Sequence, residues 1–302
     1  MLNNSKAKTY LLAAMMFWGL GTVLTKSALE NFDALVLLPI QLAFSVIFLG
    51  LLLSFQFGKD SVIRSRQNQI KVGLLGVLNP GISYALALSG LALIPASTSL
   101  VLWATEPIII LIFAFLFMRG SIQKQVIPVM AISVLGVLLM IGKPSGTSEI
   151  LGLILTIAAV CACALYSILL SILNLKDSAI STVFIQQVAA LTFAIILLLA
   201  KFGSGAFSSI AVSRLHIFEA AVGGIAYYGL AFYFYVLGLR MTSAVQAGAF
   251  LTLIPVFGLI FSVILLGERI SAQASFGAII VIGAIAFFAL ADQRRTFKQL
   301  DQ

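Results

Sequence analysis

Glu106 is a carboxylate in the middle of an apolar run from Ala96 to Met118, ASTSLVLWATEPIIILIFAFLFM, and Pro107 follows it at once. The run is long enough to span a bilayer as a helix. An ionised carboxylate at the bilayer centre costs roughly 2.5–3.5 kcal/mol on insertion scales, so Glu106 is expected to face protein or water rather than lipid. There it can bind a cation or the cationic group of a solute, or take up a proton. The structural alternative is a protonated carboxyl hydrogen-bonded to a neighbouring helix. Pro107 removes the hydrogen bond that the Trp103 carbonyl would accept and predicts a kink. Helical spacing puts Ser99, Trp103, Glu106 and Ile110 on one stripe, with Thr98 and Thr105 beside it, so an aromatic ring, a carboxylate and hydroxyls converge at membrane depth.

Further polar and aromatic residues lie in other apolar runs. Trp18, Thr22 and Thr25 follow i, i+4, i+7 and share a face with Lys26 at its edge, which suits a cavity wall; core packing for Trp18 and snorkelling for Lys26 are the alternatives. Asn79-Pro80-Gly81 interrupts a run, with Ser83 on the Asn79 face and Tyr84 placed to stack on a solute; the freed carbonyls could meet an amine. In GGIAYYGLAFYFYVLGL, Tyr228 sits well inside the span and is read as cavity-lining, with Tyr235 on its stripe and Phe232 close by. Gln246, Phe250 and Phe257 line one face, and Gln41 and Gln186 lie in two further runs. The substrate-cavity candidates are thus Trp18, Thr22, Gln41, Asn79, Ser83, Tyr84, Ser99, Trp103, Glu106, Gln186, Tyr228, Gln246 and Phe250. Glu106 is the coupling candidate, and Pro80, Pro107 and Pro255 are helix breaks suited to gating.

These residues need elements to hold them. The chain has 302 residues, 61% hydrophobic and only 9% charged, where a soluble domain would carry about a quarter charged. The mean hydropathy is +1.14. The expected fold is all-α and polytopic, with apolar runs at about 9–28, 34–57, 70–91, 96–118, 124–142, 150–173, 179–200, 214–238, 242–266 and 272–291. Lys6 and Lys8 before the first run imitate a signal peptide. That run is of spanning length with no small-x-small cleavage site after it, so it reads as the first transmembrane helix. Ten spans put both termini on one side. Thirteen of the 18 basic residues fall there, and five, Lys26, Lys143, Lys201, Arg214 and Arg269, on the other; cytoplasmic termini follow. The net charge of +8 is spread through short links rather than gathered in a patch, so no nucleic-acid partner is expected. Cys161 and Cys163 share one apolar run and read as small packing residues.

The sequence also matches itself. A shift of 148 residues pairs Gly76 with Gly224, Gly81 with Gly229, Gly90 with Gly238, Ala96 with Ala244 and Pro107 with Pro255; a shift of 145 pairs Gln41 with Gln186 and Phe48 with Phe193. Five spans per half is an odd number, so the second half must enter the membrane upside down. This gives a 5+5 inverted repeat with halves at 1–146 and 147–302, and a solute site near the midplane between them. Glu106 is paired with Ile254 and Trp103 with Leu251, so acid and indole belong to one half alone.

Three stretches carry a likeness to a known group: LLAAMMFWGLGTVLTKSAL, GLALIPASTSLVLWATEPIIILIFAFLFM and RMTSAVQAGAFLTLIPVFGLIFSVILLGERIS. On these, nearly the whole chain resembles the EamA-type branch of the drug/metabolite transporter superfamily. The resemblance implies export of amino acids, other small metabolites or drugs from the cytoplasm, often with protons. In one departure, the Gly267-Glu268 that closes the ninth run is replaced in the first half by Arg119-Gly120. The expectation is a secondary transporter of the cytoplasmic membrane working by alternating access, favouring an amino acid or related metabolite, with organic cations as the alternative. A passive channel or lipid-handling protein is the competing class. One histidine, no metal-ligand spacing, no nucleophile elbow and no phosphate loop argue against an enzyme, a metal, a cofactor or a nucleotide-driven pump. The partners expected are a small-molecule substrate and the lipid bilayer.

Overall fold

The structure is a computed structural model, and it describes residues 2–55, 66–118, 146–173, 178–203, 214–239, 250–251, 253–273, 275–280 and 282–284, with a few isolated positions elsewhere. Long apolar runs in a bilayer must satisfy every backbone N–H and C=O within themselves, which leaves the helix as the open solution. The described helices are α1 (Leu2–Ala28), α2 (Ala34–Phe55), α3 (Arg66–Gly76), α4 (Ser83–Leu93), α5 (Ala96–Trp103), α6 (Glu106–Met118), α7 (Thr147–Leu173), α8 (Ala179–Phe202), α9 (Arg214–Gly224), α10 (Ala231–Leu239) and α11 (Ile254–Leu266). Wide turns at Val77–Ile82 and Ile225–Leu230 join α3 to α4 and α9 to α10. Among the described residues, six helical stretches are long and apolar enough to cross a membrane, and α5–α6 and α11 are shorter apolar pieces. Most of the fifth expected span, 124–142, residues 274, 281 and 285–291 of the tenth, and residues 242–249 of the ninth, Gln246 among them, lie outside the described residues.

The protein is polar inside and oily outside. Thr22, Gln41, Ser45, Asn79, Ser83, Glu106, Gln186 and Gln187 are all buried, while Ile47, Phe55, Leu74, Ile154, Phe218 and Ile264 stand exposed. A water-soluble surface would not carry such a large apolar face, and a lipid-facing one must. The chain is a polytopic all-helical membrane protein.

Element bounds recur at the two offsets read from the sequence. α1 and α2 begin 145 residues before α7 and α8, and α3, the wide turn, α4 and α6 begin 148 residues before α9, the second wide turn, α10 and α11. Contacts recur as well. A Cβ on Gly76 would run into the backbone of Gln186, and one on Gly224 into the backbone of Gln41; Gly81 faces the Phe193 ring and Gly229 the Phe48 ring. α1 packs on α9, α10 and α11, while α7 packs on α4, α5 and α6.

The backbone departs from regular helix at or just before Pro80, Pro107 and Pro255. At Asn79 the backbone is extended, φ −145° and ψ 118°, and the Ser83 N–H returns to the Leu78 carbonyl, five residues back. Ala231 makes the same bond to Ala226 in the second wide turn, where no extended residue intervenes. The run 96–118, expected as one span, is divided at Ala104–Thr105. Pro107 offers no N–H to the Trp103 carbonyl, and the chain tightens instead, with the Thr105 N–H on the Leu102 carbonyl at 3.0 Å. The Leu253 N–H repeats this on the Phe250 carbonyl at 2.9 Å ahead of Pro255.

Candidate functional site

The division before Pro107 makes Glu106 the first residue of α6, where a carboxylate is favoured by the helix dipole. It points into a cavity of about 40 Å³ between α1, α4, α5, α6, α7 and α10. Trp18 and Thr22 come from α1, Asn79 from the broken turn, Tyr84 from α4, and Leu100 and Trp103 from α5. Cys163, Tyr166 and Ser167 come from α7, Tyr227 from the second wide turn, Phe232 and Tyr235 from α10, and Leu251 and Ile254 from the start of α11 and the turn before it.

The wall is largely aromatic. Trp18 packs edge-on against Phe232 with ring centroids 5.2 Å apart, and lies 5.1 Å from Tyr235. Tyr84 is the hub: its ring centre is 6.0 Å from Trp103, 5.1 Å from Tyr227 and 4.9 Å from Tyr228. Offset and edge-to-face contacts of this kind add to area burial and hold the rings in place. Polar groups fix the framework. Thr22 donates to the Trp18 carbonyl at 3.0 Å and its hydroxyl lies 3.3 Å from that of Tyr227. Cys163 shares the cavity wall with Glu106. Trp18 Nε1 is a buried donor without a partner among the described residues. No lysine, arginine or histidine lines the cavity among the described residues.

Of the residues singled out from the sequence, the structure gathers Trp18, Thr22, Asn79, Tyr84, Trp103, Glu106, Phe232 and Tyr235 around this cavity. The other described substrate-cavity candidates lie elsewhere. Ser83 is buried and donates to the Asn79 side chain. Gln41 is buried against Thr25, donating at 3.0 Å, and Gln186 accepts from the Tyr166 hydroxyl at 3.1 Å, so both work between helices. Ser99 is buried away from the cavity, Tyr228 is fully enclosed behind Tyr84, and Phe250 packs on the core. Pro80 lies in the broken turn, and Pro107 and Pro255 open α6 and α11.

Cys163, Tyr166, Ser167 and Tyr227 are lining residues that polarity and spacing did not single out. The offsets find three of them. Cys163 is 145 residues beyond Trp18 and Ser167 is 145 beyond Thr22; Tyr227 is 148 beyond Asn79. The same shift of 148 relates Tyr84 to Phe232, Trp103 to Leu251 and Glu106 to Ile254, so the wall is made largely of paired positions.

A family model, the EamA-like transporter family, matches residues 5–142 and again residues 150–290. The chain belongs to this family. The EamA-like assignment is accompanied by a 24% identity over 230 residues, 71% of this chain and 70% of the relative, to a Clostridium kluyveri protein described as an uncharacterized transporter. A solved crystal structure superposes with a TM-score of 0.68, covering 96% of this chain and 98% of its own, at 16% identity, which speaks for the fold. The EamA-like chain is a membrane transporter of the drug/metabolite transporter superfamily, with a small-molecule substrate and the bilayer as its surroundings.

Proposed function

We propose that this transporter is a secondary exporter in the cytoplasmic membrane, and that its solute is a small amphipathic compound carrying an amine or other organic cation. The observation that carries this reading is a single carboxyl, Glu106, set in a wall of aromatic rings with no basic lining residue among those described. A cation over an aromatic face gains roughly 0.5–2 kcal/mol, more as water is excluded, and Glu106 supplies the counter-charge. Proton release from Glu106 as a cation enters would couple the two fluxes. One proton is worth about 2.3 kcal/mol per 100 mV, enough for moderate export.

The proposed architecture is ten helices in a 5+5 inverted repeat, 1–146 and 147–302, with both termini cytoplasmic. The recurring element bounds, the reciprocal Gly76–Gln186 and Gly224–Gln41 approaches and the twofold family match support it. A cavity of about 40 Å³ holds little more than water, far below the roughly 300 Å³ of a typical ligand pocket, which fits a closed stage of an alternating cycle. An amino acid is the second reading. Its ammonium would take the Glu106 place, and its carboxylate would rely on neutral donors, for which the unpartnered Trp18 Nε1 speaks.

The test is uptake into inverted vesicles under an imposed pH gradient, after a thermal-stabilisation screen of quaternary amines, primary amines and amino acids, since a bound solute raises the unfolding midpoint by mass action. Glu106→Gln should stop stabilisation and transport of cations while the protein remains folded. Unchanged pH-driven cation uptake by that variant would remove Glu106 from both roles.

A further inference from the structure

The end of α11 shows a contact that the cavity does not explain. Gly267 turns into the left-handed region, φ 63° and ψ 22°, a conformation that suits glycine, and its N–H and that of Glu268 both return to the Ser262 carbonyl. The turn carries Glu268 across to the first half of the chain. There its two carboxylate oxygens accept the N–H groups of Ala96 at 2.8 Å and Ser97 at 3.1 Å, the first residues of α5. These are two of the four donors that a helix start leaves without intrahelical partners, and a carboxylate is the acceptor best suited to them. The end of α4 just before is held from another direction. Lys26, at the end of α1, donates to the carbonyls of Leu91 at 2.8 Å and Ile94 at 2.9 Å. Charged groups of both signs therefore clamp the turn between α4 and α5.

The offsets make this arrangement one-sided. The residue paired with Glu268 is Gly120, which has no side chain, and the residue paired with Lys26 is Ser171. The exposed Asp33–Lys201 pair, 2.8 Å, also joins the two halves at the same end, but solvent weakens it.

We propose that Glu268, seated on the start of α5 and supported by Lys26, is a latch that holds the two halves together at the end of the molecule remote from the N-terminus, and that its paired position, Gly120, supplies no such carboxylate. Ten residues separate Ala96 from Glu106, roughly 15 Å of helix, so releasing the carboxylate frees the outer end of the element that carries Trp103 toward the cavity. Opening toward that face requires the Glu268 carboxylate to leave both N–H groups. The transporter consequently rests closed at the latched end, which the basic-residue bias makes the external one. This inference rests on the alternating-access reading.

The chain contains two cysteines, and one of them, Cys163, lines the cavity. On a Cys161→Ser background it becomes the sole thiol reporter, read in oriented vesicles of the full chain with a membrane-impermeant maleimide. Labelling of Cys163 from the latched face is expected to be slow, and Glu268→Gln should accelerate it roughly tenfold, the change in opening equilibrium when a charge-assisted pair of bonds is weakened. Lys26→Met is the second variant and should accelerate labelling from the same face. Equal rates from that face in both variants and in the background, with all three proteins monodisperse, would overturn the latch. The transport reading would survive that result if labelling were confined to the opposite face. Rapid labelling from the latched face in the Cys161→Ser background itself would show that this face is not closed at rest and would also overturn the latch.

Discussion

Glu106 and Ile254 occupy paired positions on the cavity wall, as do Trp103 and Leu251, and the differences within these pairs are where selectivity resides on the proposed reading. Trp103→Leu copies the partner residue and removes a ring from the aromatic wall. It should raise KM for a cationic solute several-fold, about 1 kcal/mol of lost cation–ring attraction, with little change in kcat, measured by initial uptake rates. The polar and aromatic lining residues were legible because such side chains are out of place in an apolar run. Cys163 and Ser167 were not, since small residues on a membrane helix read as packing; their positions become informative only beside Trp18 and Thr22. Tyr228 was expected at the cavity, yet Tyr227 takes that place. The wide turn at Ile225–Leu230 adds to the helical repeat and rotates the face by about one residue, which regular spacing cannot anticipate. Ser99 leaves its stripe for a related reason, the tight turn that sets α6 off from α5.

Among the elements, the close glycine approaches set how α2, α3, α8 and α9 meet. Gly224→Ala would place a methyl in the Gln41 backbone, which cannot yield as a side-chain tip can. The cost should be about 1–3 kcal/mol, seen as a lowered midpoint of thermal unfolding, and Gly76→Ala should behave alike against Gln186. Gly73→Ala is the contrast: its methyl would meet only the Ala189 methyl at 3.8 Å, so the midpoint should hold or rise, by up to about 1 kcal/mol from helix propensity. The pairing of Gly76 with Gly224 could be read from the sequence, whereas their contacts with Gln186 and Gln41 could not, because nothing in a one-dimensional offset says which helix crosses which. The Asn79 break was legible from Asn79-Pro80-Gly81, while its unbroken counterpart carries no proline to announce it.

At the scale of the whole molecule, α1 leans on the second half and α7 on the first, so each half completes the other. Residues 1–146 and 147–302 expressed separately should fail to accumulate in the membrane, and co-expressed they should restore a folded pair, scored by size-exclusion profile and by recovered uptake. Asp33→Asn should by contrast cost no more than about 1 kcal/mol, since both partners of its ion pair are roughly two-fifths exposed. That the chain is a polytopic helical membrane protein was legible from its apolar runs, and the interlocking was not, being a property of crossings rather than of runs. Joining the halves in one polypeptide has a consequence for the solitary acid. In a dimer of two identical first halves, every feature of the wall would appear twice, and Glu106 would confront its own copy across a cavity of about 40 Å³. Two facing carboxyls at that spacing cannot both be ionised, and such a pair would hold a proton rather than release it to an arriving cation. On the proposed two-half architecture, covalent fusion lets one copy become isoleucine while the other remains an acid, so the linkage between the halves is what allows a single carboxyl, Glu106, among the described residues of this cavity wall.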